Sequence, residues 1–438
     1  MSCILPSQIL TVGQYDISNL FKPFSRENPE LTDELKVAFA LLESVQDGDL
    51  VKIPDFAKYD VALEEAISWV RGRDDLMAAT EVLWALSGRT VRVRKDKYGN
   101  AALDYTDILP HDLAPLLVLD ASGQQRQTYE FWFKNRGKLR FLESPQKSYK
   151  GLTIHHWNRG AGKDAHKKHA NEIALGVASA INGEIARGEQ VLVIHFKAVG
   201  SLPDMQKKIS KLVLGDKSRV KYLNWGRHTA TNEFREIKYV ILAGVLQYSG
   251  PQIEAMGRSA KKMGMEDAFS DEDFQRTRFG EIAHHILQAA TRGAVRKSID
   301  GTCHPGCHLF VMFPTKKGVG IPEALLPRIF PDAEILNWKP TFTLKGNERR
   351  LVETVISLYQ AGETSTSKAR LCEEIGIASQ SYLNRLLKRA DFGMALRAKG
   401  MRITQQRGKV LIETAGAPKA ESFDPAPIAP WEATLEAK

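Results

Sequence analysis

Apolar residues recur three and four positions apart in three stretches between residues 30 and 88: LTDELKVAFALLESV, VALEEAISWVRGR and DLMAATEVLWALSG. Each predicts an amphipathic helix. The segments RTVRVRK and AALDYTDI follow, separated by DKYGN, whose Gly and Asn suit a hairpin turn. Residues 1–25 carry no strong periodicity, so residues 1–110 read as a helical block with a β-hairpin.

From residue 115 the pattern changes. Short, fully apolar runs (PLLVLDAS, GLTIHHW, EQVLVIHF, RVKYLNW, KYVILAG and CHLFVMFP) alternate with stretches of helical period at 164–187, 203–214, 251–264 and 272–297. Strands buried on both faces and separated by helices are the signature of a parallel sheet, which predicts an α/β domain over residues 111–335. The three prolines of GIPEALLPRIFPD (320–332) mark it as the linker leaving that domain, and no internal repeat is visible.

A third module follows over 345–413. ERRLVETVISLYQAG, SKARLCEEIG and ASQSYLNRLLKRA are helix patterns, and Gly376 permits a left-handed turn after the second. In the third, Leu383, Leu386 and Leu387 share one face, while Ser381, Asn384, Arg385 and Lys388 fall on the other, the division expected of a recognition helix. GMRITQQRGKVLIE reads as two strands around QQRG, a wing that sets Arg407 and Lys409 to touch phosphate. A small helical domain with a solvated basic face, or one that docks protein, is the alternative. Residues 414–438 are a Pro-, Ala- and Glu-rich tail.

Charge sharpens this picture. Lys and Arg number 61 against 52 Asp and Glu, a net +9 over 438 residues, but 13 basic and 6 acidic side chains between Lys345 and Ile412 place a surplus of +7 in that one module. DNA is therefore the partner to test there. The remaining composition, 43% hydrophobic and 26% charged, excludes disordered and fibrous classes. The longest apolar stretch, YVILAGVLQY, is half the length of a membrane-spanning helix, so no membrane partner is expected. Four scattered cysteines point to a reducing cytoplasm rather than a disulfide scaffold.

The candidate chemistry begins with HHILQAATRGAVRKS. If that segment is helical, Gln288, Arg292 and Arg296 project from one face, with His284 a turn earlier. Arginine offers a fixed fork of donors to phosphate oxygens and stabilises charge on a transferred phosphoryl group; an exposed basic helix face is the plainer alternative. Gly226, Thr229, Thr231 and Asn232 are placed to line a cleft at the carboxyl end of their strand, or else serve as turn and capping residues. RGAGK (159–163) opens a helix after GLTIHHW, so backbone N–H groups and Lys163 converge there on an anion or nucleic-acid backbone, unless the segment is only a turn. CHPGCH (303–308) reads as a turn entering a strand rather than a zinc site, because six consecutive residues do not readily close a tetrahedron. His155 and His156, adjacent on a strand, read as structural.

From about residue 115 to 315 these segments resemble the second motor domain of superfamily-two helicases, in particular the iron–sulfur and the phage or plasmid DEAD/DEAH-like branches. LVLDASG (117–123) is similar to the motif that couples the two motor lobes, EQVLVIHF to motif four and NWGRHTATNEFREIKYVILAG to motif five. QAATRGAVR resembles motif six, QxxGRxxR. Arg292 matches its first arginine, Thr291 stands in place of its glycine, and the second arginine falls one residue late, at Arg296. The resemblance implies a RecA-like domain, ATP with Mg2+, and a role for the arginines at the γ-phosphate. Yet none of the three Gly-Lys pairs, at 137, 162 and 408, is followed by the Ser or Thr of a P-loop. The resemblance thus implies the later half of a helicase, whose P-loop lobe is a partner on another chain. A non-catalytic DNA-binding protein on a degenerate helicase fold is the alternative.

Overall fold

The computed structural model describes residues 7–414 apart from 97–98, 108–116, 119, 137–138, 144–146, 227–230, 316–320, 341–343, 345, 390–391, 394, 397–400 and 407–408. They form two units, Met1–Ser144 with Gln247–His284, and Pro145–Leu246 with His285–Lys438.

The first unit opens with strand β1 (Ser7–Gly13), helices α1 (Gln14–Glu27) and α2 (Pro29–Ser44), strand β2 (Leu50–Lys52), helices α3 (Leu63–Trp69) and α4 (Asp74–Leu86), and strands β3 (Thr90–Asp96) and β4 (Gly99–Asp107). Asn28 separates the first two helices: its side chain accepts from the Leu31 N–H at 2.9 Å, and Pro29 occupies the first helical position. The periodic residues Ile17, Leu20 and Phe24 of α1 and Leu31, Leu35, Ala38 and Leu42 of α2 are wholly buried together. The expected hairpin is present as β3 and β4, but it is the centre of a four-stranded antiparallel sheet, β1-β4-β3-β2. Two strands were invisible to periodicity because β1 is a single short run and β2 only three residues long.

Helix α5 (Gln127–Arg136) completes this stretch. Two corrections follow. PLLVLDAS is not a buried strand among the described residues, since Leu117 and Val118 are exposed at 70% and 49%. Nor does 111–335 form one domain: helix α8 (Gly250–Lys261) packs on α5, β4 and β1, and α9 (Asp271–Ala290) belongs to the first unit as far as His284. Polar contacts hold α8 there. Arg94 pairs with the buried Glu254 at 2.5 Å, and the Arg136 guanidinium donates to the Ser259 carbonyl at 2.7 Å.

The second unit carries the expected parallel sheet. Its strands are β5 (Leu152–Trp157), β6 (Val191–His195), β7 (Val220–Asn224), β8 (Tyr239–Ala243), β11 (Cys307–Met312) and β12 (Glu334–Asn337), in the order β12-β5-β11-β8-β6-β7, all parallel. Helices α6 (Lys163–Gly183) and α7 (Met205–Leu212) connect the strands on one side of the chain order, and β9 (Ser298–Ile299) with β10 (Thr302–Cys303) form a small ribbon before β11. Every residue of β6 is buried, which is why that segment reads as an unbroken apolar run. GIPEALLPRIFPD is not a linker: it contains α10 (Leu325–Ile329), buries Leu325, Leu326, Ile329 and Phe330, and feeds β12 onto the sheet edge. All four residues of β12 are exposed, so it lacked a hydrophobic signal.

Two of the imidazoles in this sheet, those of His155 and His308, lie against each other. The His155 ring stacks on Phe310 with centroids 4.1 Å apart and lies 3.2 Å from the His308 ring, itself stacked on Tyr239. Burial, reinforced by His308, lowers the His155 pKa to about 4. The folded state thus disfavours the imidazolium, so His155 contributes full stability above the unfolded pKa near 6.5 and loses it as pH falls through about 4. Chemical denaturation between pH 7 and 4 should show this group adding up to about 1.4 kcal/mol per pH unit of destabilisation, absent in His155→Phe.

The C-terminal stretch runs α11 (Asn347–Gln360), β13 (Ser365–Ser367), α12 (Lys368–Ile375), α13 (Gln380–Leu387), β14 (Met401–Gln406) and β15 (Lys409–Thr414), with its strands ordered β13-β15-β14 in an antiparallel sheet. Ser367 and Ser379 cap α12 and α13, and Gly376 ends α12 at φ +72°. The core joins Leu351 and Val355 to Leu371, Leu383, Phe392, Val410 and Ile412. Strand β13, of sequence STS, was not foreseen. No helix among the described residues is long and apolar enough to cross a membrane.

Candidate functional site

Helix α9 ends at Ala290, so Gln288, Arg292 and Arg296 do not share a helix face as their spacing suggested. The cause is Gly293. Its backbone packs so closely on the chain entering β8 that a Cβ there would lie 2.6 Å from both the Ile237 carbonyl oxygen and a Val240 methyl, and the next N–H, of Ala294, donates to Ile237 at 2.8 Å. A short 3-10 turn, Ala294–Arg296, follows. The Lys147 ammonium holds that turn, donating to the carbonyls of Val295, Arg296 and Lys297 at 2.8, 3.1 and 2.9 Å; burial lowers its pKa.

The turn nevertheless assembles the expected residues. The Arg292 guanidinium donates from Nη1 to the Thr231 carbonyl at 2.9 Å, from Nη2 to Gln288 Oε1 at 2.9 Å and from Nε to the Gln288 carbonyl at 3.1 Å. Arg296 donates to the Asn232 side-chain oxygen. Gln288, Arg292, Arg296, Thr231 and Asn232 therefore converge beside the starts of β8 and β11, at the amino-terminal edge of the sheet. Each hydrogen-bond acceptor of the two arginines named here is neutral. Arg292 is half-buried, and burial together with the Arg296 charge lowers its pKa. Two like charges are thus held together here, and among the described residues no carboxylate pairs with either of them. The adjacent Lys297, by contrast, pairs with Glu236.

Other expected residues lie elsewhere. Gly226 follows β7 at the opposite, carboxyl edge, where its neighbour Trp225 donates from Nε1 to the Gly244 carbonyl at 3.2 Å. The four residues read as one cleft lining are thus divided between the two edges, because the loop after β7 must cross the sheet to start the parallel β8; Thr229 lies outside the described residues. Lys163 also sits at the carboxyl edge, exposed, as the first residue of α6 after Gly162. Cys303 and Cys307 are both buried on either side of the turn into β11. No three His, Cys, Asp or Glu side chains gather as metal ligands among the described residues.

On α13, Leu383, Leu386 and Leu387 are buried while Ser381, Arg385 and Lys388 are exposed, as the spacing required; Asn384 is half-buried, with its Oδ1 unpartnered. Acidic neighbours take up other cations of the module: Arg349 with Glu353, Arg370 with Glu363, Arg389 with Glu348 and Arg402 with Glu413. Arg385, Lys388 and the exposed Lys409 have no acidic partner among the described residues, nor have Arg350 and Lys368, so part of the unneutralised charge sits on the outer face of α13 and at the start of β15. Arg407 lies outside the described residues.

Sequence reasoning missed a buried network in the first unit. The guanidinium of Arg126 makes a two-pronged pair with Glu281 at 2.8 and 3.0 Å, both side chains at most 4% exposed. Burial pushes the Glu281 carboxyl up against the pull of Arg126. Nearby, the Ser122 hydroxyl lies 2.5 Å from Asp120 Oδ1 and 2.6 Å from His284 Nδ1, so the LDAS segment grips α9 directly. Glu281 is seven residues before Gln288, so helical spacing alone would have found it; Arg126, 155 residues away, left no local signal.

No family model matches the chain, and no curated protein matches it.

Proposed function

We propose that this chain is the nucleic-acid-handling half of an ATP-dependent DNA helicase-like motor. The six-stranded sheet is its second, RecA-like motor domain, and residues 345–413 are a winged helix-turn-helix that binds DNA. Arg292 and Arg296 meet the phosphates of an ATP whose P-loop and Mg2+ belong to a lobe on another chain. The observation that carries this reading is the convergence of Gln288, Arg292, Arg296, Thr231 and Asn232, in which both arginines are positioned by neutral acceptors and keep their charge for an anion. Pre-positioned guanidiniums stabilise charge developing on a phosphoryl group in flight without reorganising. The purified chain alone should release no phosphate from ATP, with or without single-stranded DNA, because nothing in its sequence supplies the Lys and Ser or Thr that hold the phosphates and Mg2+. DNA-stimulated turnover that survives rigorous repurification refutes the reading.

The second reading, a non-catalytic DNA-binding protein, draws on Arg385, Lys388 and Lys409, whose charge needs no nucleotide to act. The two diverge at Arg292, which matters to the first and is idle in the second.

A further inference from the structure

Between the first half of α6, the start of α7 and the end of α13, the second unit holds a cleft of about 460 Å³. Its walls carry Lys167, Lys168 and Lys208 from the sheet domain and Lys388, Arg389 and Arg402 from the C-terminal module. The module's own acids neutralise the two arginines, through Glu348 and Glu413. The lysines are different. Lys208 donates to the neutral amide oxygen of Asn171 at 2.8 Å, and Lys167, Lys168 and Lys388 have no carboxylate partner among the described residues. The lone acid in the wall, Glu172, is turned to Arg159 at 3.4 Å and His169 at 3.9 Å. Helix α6 is also broken at this point, at His169 (φ −132°, ψ +26°), within the run Lys167–Lys168–His169.

We infer that this cleft is a second nucleic-acid backbone site, which carries the phosphates onward from α13 across Lys388 to Lys167, Lys168 and Lys208. The inference rests on the DNA-binding reading of the C-terminal module and adds to it a route onto the sheet domain. Charge complementarity selects the occupant: four lysine ammoniums without a carboxylate partner, at the lip of a polar cleft continuous with the cationic face of α13, suit a polyanion with regularly spaced charges. Ammoniums are point charges that track a backbone without reading bases, so binding here carries no sequence preference.

The test uses the full chain and three fluorescent probes, a blunt duplex and the same duplex with a 3′ or a 5′ single-stranded tail, titrated across a range of salt. Replacing Lys167, Lys168 and Lys208 together by alanine should flatten the slope of log K against log salt by about 2 to 3 on the tightest probe, while Lys→Arg at the same positions restores it. Arg385→Ala with Lys388→Ala should lower the slope separately, and the tailed probes show whether the cleft takes duplex or single strand. Thermal melting of the alanine variant checks folding, and Lys167→Glu with Lys168→Glu provides a second variant without Lys208. Wild-type binding with an unchanged slope in both the alanine and glutamate variants overturns the cleft while leaving the C-terminal module intact. No wild-type binding to any probe at low salt overturns the DNA reading itself, and a cleft-dependent affinity for polyglutamate but not DNA assigns the site to an acidic protein.

Discussion

With a P-loop lobe supplied, Arg292→Ala should lower kcat for ATP hydrolysis by about 10³-fold or more, the scale of losing an arginine that stabilises transition-state charge. The reason lies in how the side chain is held. Three hydrogen bonds, to the Thr231 and Gln288 carbonyls and to Gln288 Oε1, fix the guanidinium, and burial raises the electrostatic worth of each remaining N–H donor. Gln288→Ala removes the Oε1 acceptor alone and should cost less, because the carbonyl bonds remain. Arg296→Ala should also cost less, since that side chain is exposed and, among the described residues, is held by Asn232 alone. Steady-state phosphate release by the reconstituted pair measures all three. Equal, near wild-type rates for Arg292→Ala and Arg296→Ala would reduce this edge of the sheet to a solvated basic surface.

The second large effect is on DNA. Residues 345–412 expressed alone should fold around the core of Leu351, Leu371, Leu383 and Val410, and bind duplex or junction DNA with little sequence preference. If Arg385, Lys388, Arg407 and Lys409 neutralise about four phosphates, the slope of log K against log salt should be about −3 to −4, which costs about 10²-fold in affinity between 50 and 200 mM salt. Arg385→Ala with Lys388→Ala should remove nearly two units of that slope with little change in melting temperature, because both side chains lie on the outer face of α13. A salt-independent affinity, or no binding at low salt, would show that the module docks protein.

What was legible in the sequence follows from burial. The strands β6, β8 and β11 read correctly because they are covered on both faces, β5 because Leu152 and Ile154 are buried, and α11 to α13 because one apolar stripe each faces a core. Strands β12 and β13 did not, since an exposed edge and a three-residue STS carry no hydrophobic pattern. The division between units was hidden for another reason: α8 reads as one more crossover helix, and what assigns it to the first unit is the Arg94–Glu254 pair and its packing on α5, both long-range.

The site shows the same limit. Spacing brought Gln288, Arg292 and Arg296 together for a helical reason that the structure replaces with a turn forced by Gly293. The four-residue interval survived as proximity, although the geometry behind it did not. Thr231 and Asn232 joined them, whereas Gly226, only five residues before Thr231, stayed at the other edge, because a connection between two parallel strands that follow one another in the chain must traverse the sheet. Arg126 and Lys147 had no local signal at all; each acts on backbone or side chains more than 140 residues away.

The proposed division of labour between two chains is tested most directly by mixing this protein with a candidate P-loop lobe expressed as a separate chain and following phosphate release from ATP, with and without DNA. Neither chain alone should turn over appreciably; the mixture should, DNA should accelerate it, and Arg292→Ala in this chain should abolish the gain. Turnover by this chain alone, or a mixture no faster than the P-loop lobe by itself, would contradict that assignment.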